Sequence, residues 1–91
     1  MKLTVYNDPG HGWVAIKRAV LIKLGIEHKI TYYSYQRGLT VYLEEDCDMA
    51  TLMSAARDAG IALEFTEKYC NYHSPIRSYE TFKPTTTGAS A

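Results

Sequence analysis

Trp13-Val14-Ala15-Ile16 is the stretch on which the topology of this chain turns, because its four residues fit two different elements. As a strand, it returns along the run before it, with His11 and Gly12 in the connecting loop. As the opening of a helix, it places Trp13, Ile16, Val20 and Leu24 on one face at helical spacing. The first reading predicts an α+β domain of order ββαββαβ; the second predicts βαββαβ, the ferredoxin-like order. In both, an antiparallel sheet carries two helices on one face.

Upstream, Lys2 to Asn7 alternates Leu3 and Val5 with Thr4 and Tyr6, the period of a strand with one buried face. It stops at Asn7-Asp8-Pro9-Gly10, where proline suits the second position of a turn and glycine the third. Downstream, Lys17 to Leu24 turns Val20, Leu21 and Leu24 inward and meets Gly25, a left-handed helix cap, followed by Ile26. Thr31 to Gln36 is rich in Tyr and β-branched residues. It joins through Arg37-Gly38 to a run in which Leu39, Val41 and Leu43 face inward, so the two read as a hairpin.

Asp48 is the expected N-cap of a second helix, with Met49, Leu52, Met53 and Ala56 inward and Gly60 at its end. Ile61, Leu63 and Phe65 then alternate with polar neighbours as a last strand, able to pair with either hairpin. From about Asn71, Tyr72, Ile76, Tyr79 and Phe82 punctuate a polar segment containing Pro75, expected to lie over the domain as an irregular arm. Residues 1–82 therefore read as a single domain, and 83–91, without a large apolar side chain, as a disordered tail.

Apolar residues make up 46% of the 91-residue chain and charged ones 22%, which fits one soluble globular domain and disfavours wholesale disorder. Ten basic residues balance ten acidic ones, so the broad positive field used in non-specific nucleic-acid binding is missing. No apolar run is long enough for a membrane span, no signal peptide is expected, and no membrane partner is implied. Cys47 and Cys70 are expected to stay reduced, which places the protein in the cytoplasm.

Four constellations bear on function. Asp8 and His11, joined by Glu44, Glu45, Asp46, Asp48 or His73, have the chemistry of a metal or acid–base site, but no ligand spacing such as HExxH supports it and no cofactor or metal is implied. Cys47 lies between two aspartates that suppress its thiolate; Cys70, near Lys68 and His73, is better placed but reads first as a small apolar residue. Tyr32, Tyr33, Tyr35 and Tyr42, with Lys29 and Arg37, have the chemistry to stack bases, yet as strand neighbours Tyr33 and Tyr35 share one face and Tyr32 takes the other. Finally Trp13, Arg37, Arg77, Tyr79 and Phe82 are the residue types that anchor protein interfaces, and Glu44, Glu45 and Asp46 supply an acidic patch beside them.

The segments DPGHGW, SYQRG, YLEEDCD and SPIRSYETF, which together span most of the chain to Phe82, resemble a family of small uncharacterised proteins encoded by bacteriophages, prophages and plasmids. The resemblance implies a genomic setting and carries no activity, cofactor or catalytic residue with it. It favours a non-enzymatic accessory protein of a phage or other mobile element that binds a host macromolecule, a protein first. The expected surface combines Asp8, His11, Trp13, Arg37, Glu44, Glu45, Asp46, Arg77 and Tyr79. The alternatives are a single-stranded nucleic-acid module using the sheet tyrosines and a metal-dependent enzyme using Asp8 and His11.

Overall fold

The computed structural model describes residues 1–85, and in it Trp13–Ile16 are strand. Strands β1 (Lys2–Asn7) and β2 (Gly12–Lys17) form an antiparallel hairpin with Val5 opposite Val14 and Tyr6 opposite Trp13. There follow helix α1 (Arg18–Lys23), a 3₁₀ turn (Glu27–Lys29), β3 (Tyr35–Arg37), β4 (Thr40–Glu44), helix α2 (Cys47–Asp58) and β5 (Glu64–Tyr69). A second 3₁₀ turn, Pro75–Ser78, leads to a two-residue strand, β6 (Glu80–Thr81). The order through β5 is ββαββαβ, with β6 an addition.

The ferredoxin-like alternative does not form, because Trp13–Ile16 pair on one side with β1 and on the other with β4. Two ladders of hydrogen bonds override a spacing that a helix would also have satisfied. The sheet runs β5-β1-β2-β4-β3-β6 and is antiparallel except where β5 joins β1 in parallel.

Register explains the layers. Val5, Val14, Ile16, Val41 and Leu43 share one face and pack against Leu21 of α1 and Leu52 of α2. Each such side chain contributes about 1.5–3 kcal/mol when fully buried. The opposite face carries Tyr6, Trp13, Tyr35 and Tyr42, and residues 74–79 lie across it: the Tyr79 ring meets Tyr42 at 5.2 Å, and Trp13 is only 3% exposed. The tyrosine-rich face is thereby covered over its middle.

Both helices end alike. Gly25 (φ 73°) and Gly60 (φ 71°) are left-handed, and Ile26 and Ile61 donate back to the carbonyls of Leu21 and Ala56. Those are Schellman caps, closed by the apolar residue after each glycine.

Several local expectations are corrected. Leu39 is 77% exposed rather than inward, because Gly38 (φ 58°) and Leu39 form the two-residue hairpin turn and Arg37 pairs with Thr40. Tyr32 and Tyr33 are not strand residues, since Thr31 and Ser34 are bound to Asp48 and hold the chain in a turn. Asp48 is not the N-cap of α2. Its fully buried carboxylate faces inward, while the Glu44 carboxylate accepts from the N–H groups of Asp46, Cys47 and Asp48 and caps the helix instead.

Met53 is 49% exposed, outside the buried stripe of Leu52 and Ala56. The last strand starts at Glu64, later than expected, and all six of its residues are exposed. Of the segment expected to be a disordered tail, Lys83 and Thr85 donate hydrogen bonds to Gln36 and Glu27, and 86–91 lie outside the described residues.

Candidate functional site

A cleft of about 350 Å³ opens where the β1–β2 loop, the β4–α2 junction and the 74–79 arm meet. Its lining includes His11, Trp13, Glu44, Glu45, Asp46 and Arg77, six of the nine residues expected at the interface, together with Tyr33 and Tyr35. Register accounts for most of this convergence, because Trp13 sits opposite Glu44 across β2 and β4.

The floor is held by one buried ion pair. Arg77 donates to Asp8 from Nε (2.6 Å to Oδ2) and from Nη2 (2.9 Å to Oδ1). The N–H groups of Gly10, His11 and Ser74 add three further bonds to the same carboxylate. A carboxylate out of contact with water is costly unless its acceptor sites are filled, and here donors converge from two distant segments. Arg77's hydrogen bonds, opposed by burial and reinforced by the three amides, hold the Asp8 carboxyl far below the usual carboxylate range. Asp8 is thus spent on tying the arm to the first loop.

Gly10 makes room for the clamp, since a Cβ there would stand 2.8 Å from Arg77 Nη2. The guanidinium also lies 5.5 Å from the centre of the Trp13 ring, a cation–π position, and Tyr35 meets Trp13 edge-on at 6.2 Å.

The rim is different. Glu45 Oε2 accepts from Gly12 N–H and stands 3.5 Å from His11 Nδ1, and both residues are exposed. Asp46 is exposed and makes no side-chain capping bond to α2. With Arg77 compensated by Asp8 and the Glu44 carboxylate engaged in capping α2, Glu45 and Asp46 leave the mouth of the cleft acidic over an aromatic floor.

Arg37 and Tyr79 lie elsewhere. Arg37 donates to the Tyr79 hydroxyl at 3.2 Å and stacks over its ring at 5.0 Å, and neither lines the cleft. The far end of the arm has its own latch: Arg18 bonds Glu27, the Lys83 carbonyl and Gln36, while Thr85 bonds Glu27 through amide and hydroxyl. Burial pushes the Glu27 carboxyl up, but Thr85 and Arg18 outweigh it and the net shift is downward.

For the other constellations the geometry is less accommodating. Asp8 faces Arg77 while the His11 imidazole faces Glu45, and among the described residues no three His, Cys, Asp or Glu side chains gather as metal ligands. Cys47 opens α2 with its N–H on Glu44, and the Cys70 thiol points at the Tyr72 carbonyl at 3.0 Å. Tyr32 and Tyr33 stack on each other at 4.8 Å, exposed and apart from the covered Tyr42.

The residues that sequence reasoning missed are Thr31, Ser34 and Asp48. The Asp48 carboxylate takes the Thr31 amide and the hydroxyls of Thr31 and Ser34, and the Ser34 hydroxyl in turn accepts from Glu44 N–H. This network fixes the β4–α2 junction from which the acidic rim projects. Its one signal in the sequence, an aspartate near a helix start, equally describes a cap.

A larger groove of about 700 Å³ runs between the helices beside Lys23, Lys29, Ser54 and Asp58, and none of the expected interface residues lines it. No helix among the described residues is long and apolar enough to cross a membrane. No protein-family model matches the chain, and no curated protein or solved structure shows significant similarity to it.

Proposed function

We propose that this is a non-enzymatic accessory protein of a phage or other mobile element that binds a host protein in the host cytoplasm. The docking surface is the cleft bounded by His11, Trp13, Glu45, Asp46 and Arg77. The observation that carries the reading is convergence: residues chosen as interface types from three separate segments line one concave surface with an aromatic floor and an acidic rim. The mobile-element setting rests on the resemblance of the four sequence segments.

The sign of the rim selects the partner's chemistry. The two exposed carboxylates of Glu45 and Asp46, beside the exposed Tyr33 ring, suit a lysine- or arginine-bearing segment, whose cation gains both charge pairing and a ring face. They repel a phosphate backbone. A nucleic-acid reading keeps one specific support, the exposed Tyr32–Tyr33 stack, whose rings are free for a base to extend.

Affinity capture from bacterial host lysate, run with and without nuclease and read by mass spectrometry, separates the two. A protein retained in stoichiometric amount after nuclease supports the proposal. Enrichment that vanishes with nuclease moves the tyrosine stack to first place.

A further inference from the structure

Strand β5 is the edge of the sheet, and all six of its residues are exposed even though it is fully paired with β1. Glu64 N–H donates to the Met1 carbonyl and Cys70 N–H to the Asn7 carbonyl. The even-numbered residues therefore turn their backbone groups toward β1, and Phe65, Glu67 and Tyr69 present theirs outward. An edge of this length is a template for another strand unless its side chains forbid it.

We propose that the outer edge of β5 pairs antiparallel with β5 of a second copy of this chain, about a two-fold axis at Thr66. Side-chain chemistry selects both the partner and the register. With Thr66 opposite Thr66, Glu64 of each copy faces Lys68 of the other, giving two opposite-charge pairs on one face of the continuous sheet. The same register sets Phe65 against Glu67, so the outward backbone groups of each strand meet those of the other.

Moving the axis to Glu67 places two glutamates directly opposite, and moving it to Phe65 leaves Glu64 facing Thr66 and Lys68 facing Ala62. Only the Thr66 register satisfies the charges. Lys68, 6.0 Å from the Tyr6 ring centre, lies on the same sheet face as Glu64, as the pairing needs. Lysine on an edge strand ordinarily blocks association; here a glutamate four residues earlier makes the strand complementary to itself. The chain has zero formal net charge, so two copies do not repel at long range. This interface lies outside the cleft and does not depend on its role.

Sedimentation equilibrium on the full chain tests the pairing. The wild type is expected to dimerise reversibly and weakly, because one six-residue strand is small beside a standard interface. Glu64→Lys and Lys68→Glu each weaken dimerisation by about tenfold or more, turning two attractive pairs repulsive, and the double variant E64K/K68E restores it. In a C47S/C70S background, Thr66→Cys forms an intermolecular disulfide in air and Glu67→Cys does not. A wild type still monomeric at about 1 mM overturns the proposal. So does a dimer unmoved by both single reversals, or one that crosslinks at Glu67→Cys instead.

Discussion

The floor and the rim of the cleft carry similar residue types but are in opposite physical states. On the floor, Asp8 is buried and its carboxylate accepts five hydrogen bonds, two of them from Arg77. At the rim, Asp46 is exposed with no capping bond, and Glu45, also exposed, accepts a single bond from Gly12 N–H and shares a loose contact with His11. A charge that is enclosed and saturated is architectural, whereas one left in solvent remains available to a partner. The two sets therefore answer differently to mutation.

The largest effect is expected on the floor. Arg77→Ala leaves the Asp8 carboxylate buried without its main partner and releases the arm from Trp13. Its cost in urea unfolding should rival that of Leu52→Ala, about 2–5 kcal/mol for a fully buried leucine. A variant that keeps wild-type stability would show that the clamp is ornamental. Next comes the junction beneath the rim: Asp48→Ala strips the acceptor from Thr31 and Ser34, at about 1–3 kcal/mol for buried donors left unpaired. Hydrogen exchange at Thr31 should accelerate in step.

Acid sharpens the same contrast. Because the fold depresses the Asp8 carboxyl, its stabilisation is complete above the unfolded value of about 3.9 and is lost as pH falls below that toward the depressed value. Glu27 acts in the same direction. Urea midpoints should fall between about pH 5 and pH 2, and Asp8→Asn, less stable throughout, should show a shallower fall. An unchanged slope would assign acid sensitivity to other groups. The smallest effect belongs to the rim, where Glu45→Gln with Asp46→Asn should change stability by no more than about 0.5 kcal/mol in thermal unfolding.

How much of this was legible beforehand follows from which forces are local. The period-two run at Lys2–Asn7, the run from Leu39 to Glu44 apart from Leu39 itself, and the Gly-Ile helix ends depend on neighbours in sequence, and they read correctly. Trp13–Ile16 satisfied two periods at once, and only the partners β1 and β4 decided between them. Tyr32 and Tyr33 looked like strand because their residue types favour it, but a carboxylate from α2 holds the preceding residue in a turn. Of the nine residues expected at the interface, six line one cleft, and Asp8, Arg37 and Tyr79 lie outside its lining. The division of Asp8 and Arg77 from Glu45 and Asp46 was not legible, because it depends on a pairing across 69 positions.

The most direct test of the cleft as the docking surface is quantitative capture from nuclease-treated host lysate, comparing wild type with two folded variants. One is the rim variant Glu45→Gln/Asp46→Asn; the other is Arg37→Ala, at the Arg37–Tyr79 pair outside the cleft. The predicted result is about a tenfold or greater loss of the retained protein for the rim variant and wild-type recovery for Arg37→Ala. Full recovery with the rim variant, or a loss confined to Arg37→Ala, would contradict it.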